Sequence, residues 1–589
     1  MSTPPASLPT EERPGLRGLS GRAQHVLLLL AAAAPVVPQV LLPGLSMATA
    51  PLGLLALAVM ERAPRVRLEI PVLALLAWQL ASMTWSVDAG QSAWTVTLWA
   101  GGAALLLASR GQERALELGA GVAVAACALS ALRQLGGSLE AAGELAATVE
   151  DAQARGFAEL WVTRHRAMGP FSSPDMLAGF LLPLLGMLAA LAAREGGRPG
   201  VRATWLALAS LGGLVLLMTQ SVGAALALGG AVVLGITAAG WRRRRWGTVL
   251  LAWLAVAAAL ALVWWLRSWR PDASAAMSGR ERLEDWANAA AMLAHLPPWG
   301  VGAGAFESAF NHLSPPRRYA AYVHSGVLQM MVELGPLGGL LAVVMYGALA
   351  AWALRWAARG ELPEVLAATG VLASILHHQV DYDAHHVAGL GLWIALGWLC
   401  ARTASPQDLD ELPAPARMAA GAGFLAAAWV CAGVGLADRG VPRLPGEEPN
   451  LAATRAGAQL LSYDARAQLT LAEEILLSIQ RTQDPDEQAA LWREHDEAAI
   501  RAARLAPWLP AGPMVLARGR FARGALPQAL EAYDEAVARA CCSRRLHEER
   551  RVLAQRLGAA DVVEQEERWL RDHLLPVSPG AAPQGSSGQ

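Results

Sequence analysis

Charged side chains are scarce in this chain, and that scarcity is the first constraint on what it is. They make up 16% of its 589 residues, where a water-soluble protein of this size carries about a quarter. Between positions 24 and 437 the few charges fall in short clusters, separated by stretches that are nearly charge-free. That pattern excludes an ordinary soluble enzyme over most of the length. Cysteine is also rare. Cys127, Cys400 and Cys431 lie in apolar stretches and read as packing residues, and Cys541 and Cys542 are neighbours, a spacing that disfavours a disulfide. No C-x-x-C pair occurs, so neither a disulfide framework nor a zinc site is expected. Runs of alternating apolar and polar residues are missing, which argues against a β-barrel. The net charge is −1, with no basic excess to attract nucleic acid.

What is present is a series of apolar stretches near the ~20 residues that cross a hydrocarbon core as helix. We read spans at 24–42, 45–61, 69–85, 92–109, 115–135, 173–193, 202–220, 222–240, 246–267, 325–353, 363–382, 385–401 and 416–437. The expected fold is all-α: a polytopic transmembrane helical bundle of about 12–13 spans over residues 23–440, followed by a soluble helical domain. Basic clusters at 13–22, 62–67, 110–114, 194–202, 242–245 and 355–359 fall on alternate loops, all on one side. The positive-inside rule makes that side cytoplasmic. The stretch 86–91, with Asp88 and no base, and the long loops 136–172 and 268–324 then face the periplasm or the exterior. Residues 1–22 are polar and rich in Pro, Gly and Arg, and are expected to be disordered and cytoplasmic. The first apolar stretch is read as a retained helix rather than a cleaved signal. Thirteen spans put the C-terminal domain outside, and one helix more or fewer reverses that.

From about Pro445 charge rises, and Ala, Leu, Glu and Arg recur with helical period. Within 445–575, the stretch 516–538 resembles a tetratricopeptide repeat, with Gly524, Ala529, Tyr533 and Ala536 at the spacing such repeats use. A generic helical bundle is the alternative. Residues 576–589 are rich in Pro, Gly and Ser and are expected to be a disordered tail.

Three polar sites interrupt the apolar pattern. Arg164-His165-Arg166 precedes Gly169-Pro-Phe-Ser-Ser-Pro-Asp175, where Ser173 or Asp175 suits a helix cap. Ser278-Gly-Arg280-Glu-Arg282 opens an amphipathic helix with Leu283, Trp286, Ala290 and Leu293 on one face. A glycine-rich turn at 297–306 ends that helix, and His324 and Glu333-Leu-Gly335 follow. The third site is His377-His-Gln-Val-Asp381-Tyr-Asp383-Ala-His385-His386. Ionisable groups near membrane depth often mark function, although a single His there is more often a hydrogen-bonded packing residue. A metal site is the weaker reading, because no pair has diagnostic spacing. Arginine pairs bidentately with phosphate oxygens, and an imidazole can accept a hydroxyl proton near neutrality. A lipid-linked diphosphate would suit this chemistry, as would an anion channel or transporter.

At these residues the sequence resembles the O-antigen ligase/polymerase superfamily that shares the Wzy C-terminal domain. The resemblance rests on Gly279-Arg-Glu-Arg282-Leu-Glu-Asp-Trp286, Pro298-Trp-Gly-Val-Gly-Ala-Gly-Ala-Phe306, His324, Glu333-Leu-Gly335, Val380-Asp381-Tyr-Asp383-Ala-His385, Ser173-Pro-Asp-Met-Leu-Ala178 and Thr84-Trp-Ser-Val-Asp88, over roughly 80–400. It implies a C-type glycosyltransferase-like membrane fold in the bacterial inner membrane. It implies transfer of a glycan from undecaprenyl diphosphate, on the periplasmic side, to the lipid A-core of lipopolysaccharide or to another glycan or protein. His324 and Arg282 take the catalytic roles. Arg280, Arg166, Asp381, Asp383, His377 and His385 are expected to bind substrate. No cofactor is implied; the partners are membrane lipids, the lipid-linked glycan, its acceptor and a protein held by the C-terminal helices. The sequence departs from the family pattern at Ser221-Val222-Gly223, where members often have Ser-Arg-Gly, at His324-Ser325 for His-Asn, and at Ser173-Pro-Asp175 for Asn-Pro-Asn. A protein O-oligosaccharyltransferase and a non-catalytic scaffold of a polysaccharide export system are the alternatives. A transporter would call for internal repeat symmetry that the sequence lacks.

Overall fold

The computed structural model describes residues 14–36, 48–60, 62–64, 69–109, 111–148, 166–171, 173–194, 198–244, most of 246–261, 273–313, 320, 322–359, 361–381, 386–403, 409–411, 413–440, 450–540 and 543–573. The helices labelled here run, in chain order, α1 (Pro14–Ala33), α2 (Thr49–Ala58), α3 (Glu69–Ser82), α4 (Ala89–Ala108), α5 (Glu113–Thr148), α6 (Pro174–Ala193), α7 (Pro199–Thr219), α8 (Val222–Arg243), α9 (Ala273–Met292), α10 (Phe306–Leu313), α11 (Gly326–Ala357), α12 (Leu362–His377), α13 (Leu390–Thr403) and α14 (Ala414–Gly440). Seven more follow: α15 (Leu451–Leu460), α16 (Ala465–Ile479), α17 (Pro485–Leu505), α18 (Ala511–Ala522), α19 (Leu526–Arg539), α20 (Arg544–Leu557) and α21 (Ala560–His573). The fold is all-α, apart from a ribbon of two three-residue strands, Arg62–Pro64 antiparallel to Leu409–Glu411.

Helices α5, α6, α7, α8, α11 and α14 each hold a stretch long and apolar enough to cross a membrane, and shorter apolar helices lie in α1, α2, α3, α12, α13 and at Val249–Ala258. The chain is a multi-pass membrane protein. A helix inserts readily in lipid because its backbone polar groups are satisfied within it. Lipid offers little hydrophobic drive for one helix to seek another, so close van der Waals fit must hold the bundle together. The contact between α6 and α12 shows this. A Cβ on Gly186 would lie 2.6 Å from Gly370 Cα, so the two backbones touch and only glycine fits. Polar caps fix where helices start: Ser173 Oγ accepts from Met176 N, Ser221 Oγ from Ala224 N and Ser325 Oγ from Leu328 N.

Three local expectations are corrected. Residues 136–148 are the last turns of α5 rather than loop. They are rich in Ala, Leu and Glu, strong helix formers that are too polar to read as a span. The loop 268–324 carries, besides the expected amphipathic helix α9, a second helix, α10. The buried face of α9 is also rotated from the one expected. Asp285, Ala289 and Met292 are buried and Trp286 is half-buried, while Leu283 and Ala290 are exposed.

The C-terminal helices α15–α21 pack each on its sequence neighbour around a core that includes Ile475, Ala499, Ala517, Ala529, Tyr533 and Ala536. They join the bundle through α14, where Trp429 Nε1 donates to Leu460 O at 2.9 Å.

Candidate functional site

The glycine-rich turn after α9 is locked into a break in α11. Within α11, Gly335 has φ 71° and ψ −176°, and Pro336 follows it. The helix is interrupted there, and backbone groups that a helix would keep are released. Gly302 N donates to Glu333 O at 2.8 Å, and Trp78 Nε1 donates to Leu334 O at 2.9 Å. The Glu333 carboxylate accepts from Gly304 N at 2.7 Å and from Gln329 Nε2 at 2.9 Å. A Cβ on Gly335 would stand 2.1 Å from Pro298 O, so side chains are excluded by space as well as by φ. The 84–88 segment and the start of α4 close the same knot: Val87 N donates to Val301 O, and Ser92 Oγ donates to Ala303 O at 2.6 Å. These elements form a scaffold beneath the chemistry.

The chemistry sits beside it. Arg282, on α9, donates from Nη1 to Val380 O at 2.8 Å. Its Nη2 lies 3.4 Å from Asp381 Oδ2 and 3.7 Å from Asp175 Oδ2. The other oxygen of Asp381 lies 3.6 Å from His324 Nδ1, and the other oxygen of Asp175 lies 3.2 Å from Arg166 Nη2. Arg166 Nε donates to Thr219 O at 2.7 Å, just ahead of α8. The order is therefore Arg166, Asp175, Arg282, Asp381, His324, each joined to the next. Four segments distant in sequence meet here, Arg166 and Asp175 belonging to one of them.

Two features hold His324 in place. Trp286 Nε1 on α9 donates to His324 O at 3.2 Å, and Gly326 N donates to His378 O at 2.8 Å. His324 itself has φ 54°, a left-handed conformation that costs a non-glycine residue about 1–2 kcal/mol. The strain turns its imidazole toward Asp381. The Asp381 side chain is only 1% exposed, whereas those of Arg166, Asp175, Arg282 and His324 keep 31%, 22%, 21% and 26%. Asp381 thus acts through its neighbours, while the other four can meet a ligand.

Of the residues singled out in the sequence, the structure brings together Arg282, His324, Asp381, Arg166 and His377. His377 is buried at the end of α12, and a Cβ on Gly223 would lie 3.5 Å from both His377 Nε2 and Arg282 Nη1. Gly223, the glycine of that Ser221-Val222-Gly223 stretch, therefore borders this site, where an added Cβ would make ordinary contacts with Arg282 and His377. Asp383, His385 and the side chain of Arg280 lie outside the described residues. Asp175 was read only as a possible cap. Ser173 is the cap, which frees Asp175 to bridge two arginines. An acid in the first turn of a helix that also follows an Arg-x-Arg stretch is the signal that could have found it. Among the described residues no group of three His, Cys, Asp or Glu side chains is arranged to hold a metal ion.

Residues 206–343 match the model of a known family, O-antigen ligase. The matched stretch runs from α7 through the glycine turn into α11, and so includes Arg282, His324 and Glu333. It is narrower than the 80–400 stretch of the resemblance: Arg166 and Asp175 precede it and Asp381 follows it. No curated protein matches the chain.

Proposed function

We propose that this protein is a membrane glycosyltransferase of the ligase or polymerase type. It takes a glycan from undecaprenyl diphosphate and passes it to an acceptor hydroxyl on the periplasmic face of the inner membrane. The observation that carries this reading is the convergence of Arg282, Asp381 and His324 from three separate segments. The family match over 206–343 supports the class of reaction, and the apolar helices suit a lipid-tailed donor.

In this reading His324 is the base. Asp381 orients its imidazole through Nδ1, so the other ring nitrogen faces the acceptor. As the acceptor oxygen attacks the anomeric carbon, its proton passes to His324 and the bond from that carbon to the diphosphate oxygen breaks. The lipid diphosphate leaves with the electron pair. Arg282 and Arg166 stabilise the charge that grows on it. The N-terminus of α8, which places Gly223 beside Arg282, adds a favourable dipole. We assign substrate binding also to Arg280, His377, Asp383 and His385. The N-terminus is placed in the cytoplasm, and α15–α21 outside it as a tetratricopeptide-like domain.

The test is complementation in the native host, with surface polysaccharide compared by gel at matched protein levels. Removing the base costs about 10²–10⁴-fold in rate, and removing an anion-stabilising donor about 10²–10³-fold. His324→Ala and Arg282→Ala should therefore resemble the deletion strain. If both make wild-type polymer, the catalytic assignment is wrong.

A further inference from the structure

The C-terminal helices are not simply tethered to the bundle. One small core at the site's end of the bundle contains Ala289 and Met292 of α9, Val301 and Ala305 of the glycine turn, Phe306 and Phe310 of α10, and Val323, the residue before His324. Trp508, between α17 and α18, packs against that same core. Its ring stacks on His312 of α10, with centroids 5.0 Å apart and planes inclined by 23°. His312 Nδ1 lies 3.1 Å from Arg539 O and, facing a carbonyl, must be the donor. At the other end of α10, Glu307 pairs with Arg466 of α16 at 2.5 Å. The backbone at Gly90, in the first turn of α4, abuts Asp464. Helix α10 is thus gripped at both ends by the C-terminal domain. The core it belongs to also carries the helix of Arg282 and the residue next to His324.

We propose that the C-terminal helical domain is a positioning part of the site, holding α10 so that Arg282 and His324 keep their relative geometry. Trp508 and Arg466 are its positioning residues. Neither touches the reacting groups; each acts through α10. The inference rests on the glycosyl-transfer reading of the site. The physical argument is one of stiffness. Arg282 and His324 are linked through Asp381 by contacts of 3.4 and 3.6 Å, which are loose enough to be lost by a small shift. Without those two grips, an eight-residue helix would keep only its seat in the small core, too little to prevent that shift.

The experiment uses the full-length protein in lipid nanodiscs. The donor is the undecaprenyl-diphosphate-linked glycan fraction extracted from the deletion strain. Initial rates are measured against donor amount for wild type, Trp508→Ala, Arg466→Glu, Glu307→Arg and the Arg466→Glu/Glu307→Arg exchange. A misplaced catalytic pair lowers turnover more than binding, so the maximal rate should fall about tenfold with half-saturation within about twofold. The charge exchange should recover most of the loss, which a general folding defect would not do. If Trp508→Ala does not accumulate, the exchange pair decides. Wild-type turnover in Arg466→Glu and Glu307→Arg would overturn the proposal and leave the domain as a tether. His324→Ala is run alongside: if it remains active, the catalytic assignment fails and this inference with it, and if wild type itself transfers no glycan, the glycosyl-transfer reading fails.

Discussion

Asp175 shows how much one carboxylate can decide. It lies between Arg166 and Arg282, at 3.2 and 3.7 Å, where a bridging anion would be most stabilised. All three side chains are partly exposed, so the pairs contribute orientation more than stability. If the diphosphate binds here, it competes with Asp175 for the same guanidinium groups. Asp175→Asn keeps the shape and removes the competing charge. We expect donor half-saturation to fall severalfold, and inorganic pyrophosphate to inhibit more strongly; unchanged values for both would place the diphosphate elsewhere. Asp88 makes a different prediction. Burial is the main cause that pushes its carboxyl up to about 6, against the hydrogen bond from Gln91 N and the charge of Arg466, with Asp464 and Glu307 adding to the rise. The folded state then binds more protons than the unfolded state between about pH 4 and pH 6, so stability falls as pH rises through that window. Asn is as good a helix cap as Asp. Asp88→Asn should therefore raise the melting temperature at pH 7.5, by a free energy on the order of 3 kcal/mol, and flatten its decline from pH 4 to 6. An unaltered pH profile would refute this.

At the scale of elements, the break in α11 is the feature on which most others depend. Gly335 permits the left-handed turn, the turn exposes the carbonyls of Val332, Glu333 and Leu334, and those carbonyls anchor the glycine loop and Trp78. Gly335→Ala meets both an unfavourable φ and a 2.1 Å overlap with Pro298 O. It should abolish accumulation of folded protein or cost at least ~2 kcal/mol. Gly213, inside α7 with nothing within 4 Å of an added Cβ, is the contrasting position. Gly213→Ala should be neutral or stabilise by up to ~1 kcal/mol in a thermal melt. If the two substitutions behave alike, the anchoring role of the break is wrong. The α9 face illustrates what periodicity cannot see. Leu283, Trp286, Ala290 and Leu293 do share a helical stripe, yet Leu283 is exposed and Asp285 is buried. The partners of α9 are α10, α11, the turn and Val323, and they approach from a direction that the stripe does not specify.

Across the whole molecule, the contacts of α4, α10 and α16–α19 place the C-terminal domain at the same end of the bundle as Arg282 and His324. Its side of the membrane is thereby tied to the side of the site. Single cysteines introduced on exposed positions of α17 and α20 should react with a membrane-impermeant maleimide in intact spheroplasts. Labelling only after lysis would move both domain and site to the cytoplasm and overturn the thirteen-span reading.

Much of this molecule was legible in the chain itself. Scarce charge and long apolar stretches determine an all-α membrane protein, because lipid tolerates little else. The Arg282, His324 and Asp381 segments stand out because ionisable groups are costly among apolar neighbours. Serine caps and the glycine-rich turn are likewise local, set by residues adjacent in sequence. Tertiary structure alone decided the rest. That Asp175 bridges two arginines, that Glu333 accepts the glycine loop, that Gly223 borders Arg282, and that Trp508 joins the core beneath His324 are all contacts between distant segments. Helical period and composition describe one helix at a time, whereas these contacts depend on how helices cross and where their kinks fall.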